Sequence, residues 1–421
     1  MSYKDLSEAE LLKQVTIDDI RKAQESIRGG VVRTPLIHAV RLSELLGFDL
    51  YLKLENQQFT GSFKDRGALY RMQNLTDEQK RKGVIAMSAG NHAQGVALHA
   101  RNLGVPATII MPEGAPFSKI ERTRQLGAKV ELFGDTLDDS RVRVDEIIAE
   151  TGMTFVHPYD DPYVVAGQGT IGLEMLEDQP DLDAVVVPIG GGGILSGIAT
   201  AIKAAKPDVK FYGVEASLYP SMSQVLDHQP ATSGGSTMAD GIAVKEPGFI
   251  TRTLIREYVE KIFLVSEAEI ETAILTLAEE QKIVSEGAAA TGVSALLANA
   301  EQFRGQKVAT VICGGNIDAR LLSGLLMRGL MRSNRLVRIR TEMVDQPGLL
   351  ALISSVIGKS RGNIIDVMHQ RHYYDVPAKL VEIDFVIETR DLDHVHEIIA
   401  RLSDEGIGAR VLSLSSQDPN A

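Results

Sequence analysis

The chain has 421 residues, more than one hydrophobic core usually holds, so at least two domains are expected. A net charge of −12 and a pI near 5.3 argue against a nucleic-acid partner, and 44% hydrophobic with 24% charged residues is ordinary globular composition. One cysteine, Cys313, excludes a disulfide framework and a cysteine-built zinc site; with no apolar core in MSYKDLSEAELLKQ and no run of about 20 apolar residues, a cytoplasmic protein without membrane attachment is expected.

From about Leu50 onward, short apolar runs alternate with helical stretches. YLKLE precedes a helix through DRGALYRMQNL, and GVIAMSA precedes NHAQGVALHARNLG, which closes on Gly104. ATIIMPE, AKVELFG and MTFVHP each lead into an amphipathic segment. AVVVPIGGGG is followed by ILSGIATAIKAA, then come KFYGVE, KIFLVSE with a long helix, and KVATVICGGN with a helix from about Ile317. Continuous β-branched runs between helices predict buried parallel strands, too many for one small sheet, hence an α/β architecture in two lobes over residues 1–330. After the basic joint MRGLMRSNRL, the pattern becomes strand, helix, strand, strand, helix, strand: RLVRIRTEMV, DQPGLLALISSVIGKSRGN, IIDVMHQRHY, KLVEIDFVIET, LDHVHEIIARLSDEG, ARVLSL. That is a ferredoxin-like βαββαβ unit, expected over residues 334–415, with SSQDPNA as a loose tail.

Chemistry in open parallel sheets gathers at the carboxyl ends of strands. Four such places stand out: GSFKDRG, SAGNHAQG, PIGGGG and CGGN. Lys64, between Phe63 and an aspartate in a glycine-flanked turn, has the surroundings that lower a lysine pKa enough for nucleophilic or Schiff-base work; an ordinary solvated lysine is the alternative. In VVVPIGGGGILSGIATAIKAA, the glycines Gly190–Gly193 let backbone amides approach an anion at a helix N-terminus, which suits a phosphate; a tight turn without ligand is the alternative. No Gly-Lys-Ser/Thr follows, and a dinucleotide fingerprint would need a glycine where Leu195 stands, although Glu215 sits near the position of a ribose-binding acid. A Schiff-base lysine and a separate phosphate cradle together suggest pyridoxal phosphate.

These four motifs, in this order and at these distances, resemble the fold-type II pyridoxal-phosphate enzymes, the two-lobed fold of the tryptophan synthase β subunit, and within them the serine/threonine dehydratase branch. The resemblance covers nearly the whole chain to about residue 330, and the C-terminal unit with DQPGLL is similar to an ACT domain, a regulatory module that commonly binds amino acids. It implies Lys64 as the Schiff-base lysine and Phe63 packed beside the cofactor ring. Asn91 would bond the cofactor's 3-oxygen, and Ser88, Ala89, Gly90 and Asn91 would receive the substrate carboxylate, although the same loop can serve as a helix cap. Gly190, Gly191, Gly192, Gly193 and the Ile194 amide would hold the phosphate. Cys313 would stand by the pyridine nitrogen as a neutral partner, which favours β-elimination; its alternative is a small buried hydrophobe. His92 is read as a structural helix residue.

The implied activity is dehydration and deamination of L-threonine to 2-oxobutyrate and ammonia, and of L-serine to pyruvate, in a homodimer or homotetramer. Racemases of this branch carry a serine where this chain has Ala89, so racemisation is the lesser expectation, beside a related lyase acting on 3-hydroxyaspartate. A non-catalytic amino-acid sensor would not need both Lys64 and Asn91. Glu215 matches a cation-binding position of some relatives, but Ser221 stands near where its acidic partner would fall, so no metal is expected. In the ACT-like unit, Asp345, Gly348 and Asn363 are the candidates for an amino-acid effector, with a dimerisation module as the alternative.

Overall fold

The computed structural model describes residues 3–230, 232–370 and 380–412. It divides into two compact units at Ile317 and Asp318. In the first unit the strands are β1 (Leu36–His38), β2 (Asp49–Lys53), β3 (Val84–Met87), β4 (Ala107–Met111), β5 (Lys129–Leu132), β6 (Thr154–Phe155), β7 (Ala184–Pro188), β8 (Lys210–Ala216), β9 (Val259–Val265) and β10 (Lys307–Val311). They form a six-stranded sheet in the order β1-β2-β10-β7-β8-β9, parallel except for the β1–β2 pair, and a parallel four-stranded sheet in the order β5-β4-β3-β6. The smaller lobe is thus an insertion between β2 and β7, and each lobe has the buried parallel strands that the apolar runs predict. The centre of the larger sheet shows why: every residue of β7 is buried, and helix Gly193–Ala205 covers it with ten buried residues, Gly193 to Ile202. The antiparallel edge strand β1 and helix Ile17–Ile27 lie ahead of the stretch in which the alternation is legible.

The long helix expected after β9 runs over Glu267–Thr276, widens into a π turn at Leu277–Gln281 and stops at Lys282, whose φ is +57°. The turn redirects the chain into the short strap 283–286, after which helix Gly287–Ala298 begins. Strap and helix bring Glu286 to the strand ends, and π turns commonly mark such sites.

The helix that opens with Lys64 is anchored from beneath by buried charges. Arg66 donates to both oxygens of Glu55, at 2.9 and 2.8 Å, and of Glu174, at 2.7 and 2.8 Å; Lys53 adds a 2.6 Å bond to Glu174. Two cations meet two anions with almost no exposure. Such a cluster is a weak source of net stability, but removing one member strands its partners at a cost of about 3–5 kcal/mol, which pins this geometry.

The second unit opens with helix Ala319–Arg332, capped by Asp318, which accepts from the Arg320 and Leu321 amides. Then come β11 (Leu336–Val344), β12 (Asn363–Gln370), β13 (Leu380–Glu388) and β14 (Ala409–Val411), an antiparallel sheet in the order β12-β13-β11-β14. Helices Leu349–Lys359 and Leu392–Asp404 supply Ile353, Ile357, Val395, Ile398 and Leu402 to its core. This is the βαββαβ order read from the sequence. Gly348 starts the first helix at φ +91°, Asp345 is exposed, and Asn363 donates to Glu388 at 3.1 Å. The last residues of IIDVMHQRHY and the SSQDPNA tail lie outside the described residues. Among the described residues no helix is long and apolar enough to cross a membrane.

Candidate active site

All four motifs follow strands of the first unit; hydrogen bonds join GSFKDRG, SAGNHAQG and CGGN, and the glycine run meets them through Pro158 and Tyr159. β2 and β10 are parallel neighbours, so the loops that leave them run side by side. Phe63 N–H donates to the Cys313 carbonyl at 3.0 Å, Ser62 bridges Gly314, and Gly315 N–H reaches the Gly61 carbonyl. Lys64 opens helix Lys64–Gln73 at this seam. Its Nζ donates to the Pro158 carbonyl at 2.7 Å and lies 5.0 Å from the centre of the Phe63 ring. The side chain is half-buried, and loss of solvent lowers its pKa to about 8 despite the opposing pull of Cys313 and Glu286.

Pro158 leads to the glycine run. Next to it, the Tyr159 ring lies where a Cβ on Gly191 would be, 2.1 Å from the ring's Cγ, and the Tyr159 carbonyl would be 3.0 Å from a Cβ on Gly193. Ile242 backs Gly190 in the same way, and Thr251 donates to the Gly191 carbonyl at 2.6 Å. Gly192 caps helix Gly193–Ala205 at φ +91°, a conformation that disfavours a side chain. Buried Ile194 lies in the first turn, whose amides have no carbonyl ahead of them.

Gly90 caps helix Asn91–Leu103, and its N–H donates to Ser88 Oγ at 3.1 Å. Ala89 packs, partly buried, against the core of the smaller lobe. Asn91 donates to Glu286 at 2.7 Å and accepts from Asn316 Nδ2 at 2.8 Å. The strap returns to the fourth motif, because Glu286 N–H donates to the Gly314 carbonyl at 3.1 Å. Cys313 is buried at the end of β10, which pushes its thiol pKa up and keeps it neutral. Lys64, Asn91 and Cys313 are therefore brought together, with the glycine run reached through Pro158 and Tyr159.

Other readings settle differently. His92 is buried and neutral, its pKa lowered to about 3 by burial, and its Nε2 bonds the Val156 carbonyl at 2.8 Å, a structural contact. Glu215, weighed as a ribose or cation ligand, turns its carboxylate to the Met222 and Ser223 amides and the Ser223 hydroxyl, at 2.7, 3.0 and 2.6 Å. It holds the start of helix Ser221–Leu226. Sequence reasoning missed Glu286, whose pKa burial and then Asp240 raise to about 7. An acid ahead of the apolar GAAATGVSALLA reads as an ordinary helix start, so only the π turn and strap reveal it. It also missed Tyr159 and the role of Asn316 within CGGN.

The donor set fits pyridoxal phosphate. Lys64 has a neutral carbonyl as its hydrogen-bond partner, and the glycine positions exclude side chains beside a helix N-terminus. The chain belongs to the pyridoxal-phosphate dependent enzymes: residues 27–314 match that family, and residues 332–405 match the ACT domain. Its cofactor is accordingly pyridoxal phosphate.

The chain is 46% identical to the L-threonine ammonia-lyase of Thermotoga maritima over 94% of its own length and 100% of that protein's. Among solved structures it resembles the processed form of threonine deaminase isoform 2 from Solanum lycopersicum, with a TM-score of 0.71 and 34% identity over 76% of this chain and 89% of that one. Maize serine racemase also gives a TM-score of 0.71, at 32% identity over 76% and 99%.

Proposed function

We propose that this protein is a threonine ammonia-lyase, converting L-threonine to 2-oxobutyrate and ammonia and L-serine to pyruvate. The observation that carries the reading is a lysine with a lowered pKa, held at one seam with the glycine run, Asn91 and Cys313. When bound, the cofactor supplies an electron sink for charge developing at the substrate's α-carbon. Gly190–Gly193 and the Ile194 amide would hold its phosphate, Asn91 its ring oxygen, Phe63 its face and Cys313 its ring nitrogen. A neutral thiol does not force that nitrogen to carry a proton, which favours losing the β-hydroxyl.

Lys64 is both the attachment point and the base that takes the α-proton. With a pKa near 8, about a tenth of such an amine is neutral at pH 7, against less than a thousandth for an ordinary lysine. The loop Ser88, Ala89, Gly90 and Asn91 receives the substrate carboxylate at the helix start, on the Ala89 and Asn91 amides, because the Ser88 amide is held by the Ile110 carbonyl and the Gly90 amide by Ser88 Oγ. Ala89 carries no proton donor, so it supports elimination over racemisation. Loss of water and hydrolysis then leave the oxo acid and ammonia.

The test is oxo-acid release from L-threonine, L-serine and 3-hydroxyaspartate by the cofactor-loaded protein. Fast 2-oxobutyrate formation is expected, with Lys64→Ala lowering kcat by at least about 10³-fold while circular dichroism is unchanged. Turnover of 3-hydroxyaspartate alone would move the reading to a sister lyase.

The ACT unit supports regulation by an amino acid. Gly348 opens a helix N-terminus near Asp345 at the end of β11, whereas Asn363 starts β12 opposite Glu388 at the other end of the sheet, so the three candidates would share one effector pocket only across a pair of such units. Regulation requires the effector to bind two states unequally. A scan of amino acids against initial rate should find one that shifts the threonine KM at least about threefold, and Gly348→Val should abolish that shift. The assembly we expect is a homodimer or homotetramer, read by light scattering.

A further inference from the structure

Helix Phe117–Gln125 belongs to the smaller lobe, where Ile120 enters the core. Two cations three residues apart on one face reach across to the larger lobe. Lys119 Nζ bonds Asp240 Oδ2 at 2.6 Å, and Arg122 Nη1 bonds Asn316 Oδ1 at 3.0 Å. The second contact continues inward. Asn316 Nδ2 donates to the Thr60 carbonyl and to Asn91 Oδ1, each at 2.8 Å, and Asn91 Nδ2 donates to Glu286 at 2.7 Å.

Every link in this chain runs the same way. A guanidinium has five N–H donors and no acceptor, so Arg122 holds the Asn316 oxygen outward, in the same sense as the acceptor-only Thr60 carbonyl, which holds its amide group inward. Asn316 must then turn its amide group inward. Asn91 answers with its oxygen, which points its own amide group at Glu286 and leaves its second amide hydrogen unspent. An asparagine amide is nearly symmetric in shape, so packing alone hardly distinguishes its two orientations.

We propose that Arg122 is a positioning residue of the reaction. Reaching from one lobe to the other, it acts with the Thr60 carbonyl to hold the amide polarity of Asn316, and through it that of Asn91 and the hydrogen that Asn91 offers to the cofactor's ring oxygen. The proposal rests on the reading of Asn91 as that residue. It gives the exposed end of the smaller lobe a direct hold on a group at the reaction centre.

Two mechanisms could make Arg122 matter, and they separate experimentally. A simple brace between lobes needs only an ion or hydrogen-bond pair, and Asn316→Asp would strengthen it. A polarity relay needs Asn316 to donate inward, which an aspartate cannot do. The experiment compares cofactor-loaded wild type, Asn91→Ala, Arg122→Met, Arg122→Lys and Asn316→Asp. The readouts are the absorption spectrum of the bound cofactor, its dissociation constant, and kcat and KM for threonine, with thermal melts as a check on folding.

Expected are a shifted spectrum and a kcat about tenfold lower in both Arg122→Met and Asn316→Asp, with KM changed less than about twofold and partial recovery in Arg122→Lys. A wild-type spectrum and kcat in Arg122→Met or Asn316→Asp, beside an altered Asn91→Ala, would overturn the relay and leave the reading of Asn91 standing. An unaltered spectrum in Asn91→Ala would overturn that reading and the relay with it.

Discussion

Lys64 and Glu286 show how much of this site is made by removing water from charged groups. Desolvation lowers the lysine pKa to about 8 and raises that of the carboxyl to about 7. The two displaced groups sit on either side of the seam, and Glu286 is close enough to Lys64 and Cys313 to act on both. Asp240 and Lys119 face Glu286 with opposite effects, and the Asn91 amide favours its ionised form. Glu286 accepts the Asn91 amide best as a carboxylate, so kcat/KM for threonine should rise as pH increases through about 7. Glu286→Gln does not titrate and should remove the part of the rise centred near 7, leaving the part that follows Lys64 through about 8. An unchanged pH profile in the variant would assign the rise to another group.

At the scale of elements, the glycine run is specified by what lies against it. A Cβ on Gly191 would sit 2.1 Å from Tyr159 Cγ, too close for any side chain, and Tyr159 is tethered by its hydroxyl to the Glu246 carbonyl at 2.8 Å. The methyl of Gly191→Ala must therefore displace the ring or the loop. Cofactor dissociation, followed by absorbance on dilution, should weaken at least about tenfold, a factor matched by about 1.4 kcal/mol of displaced packing. Gly305→Ala is the control: nothing lies within 4 Å of its added Cβ, and its φ of +73° carries backbone strain only, so affinity should hold.

Across the whole catalytic unit, burial of neutral histidines predicts an acid limit. His92 and His99 are almost fully covered, and burial lowers their pKa values to about 3 and about 4, against 6.5 for the ordinary side chain. Below pH 6.5 the unfolded chain binds protons that the folded chain refuses, so stability present above 6.5 is lost as pH falls toward 4. Glu286 and Asp65, raised to about 7 and about 6, act in the opposite sense: they hold protons when folded, and their contribution fades as pH rises through those values. His157, lowered to about 3 mainly by burial as well, tips the balance to the histidines, so urea midpoints measured from pH 7 to pH 4 should fall toward acid in wild type, and fall less in His99→Gln. His99 suits the test because its Nε2 has no hydrogen-bond partner to lose, only Asp65 at 3.8 Å. An equal slope in the variant would place the acid sensitivity elsewhere.

Periodicity alone determined much of this protein. Runs such as AVVVP and ATIIM could only be buried strands, and the alternating RLVRIRTEMV could only be a half-covered one, because a pleated strand turns successive side chains to opposite faces. The four motifs were legible for a related reason: a glycine or a lysine straight after a buried strand has a local signature. What stayed hidden was everything fixed by distant partners. The π turn that delivers Glu286, the Tyr159 ring against Gly191, and the one-way chain from Arg122 to Asn91 each join residues separated by tens to more than two hundred positions. No period in the sequence records such pairings. Only the tertiary structure decides them, because the direction of a buried hydrogen bond depends on which donor or acceptor the fold sets opposite it.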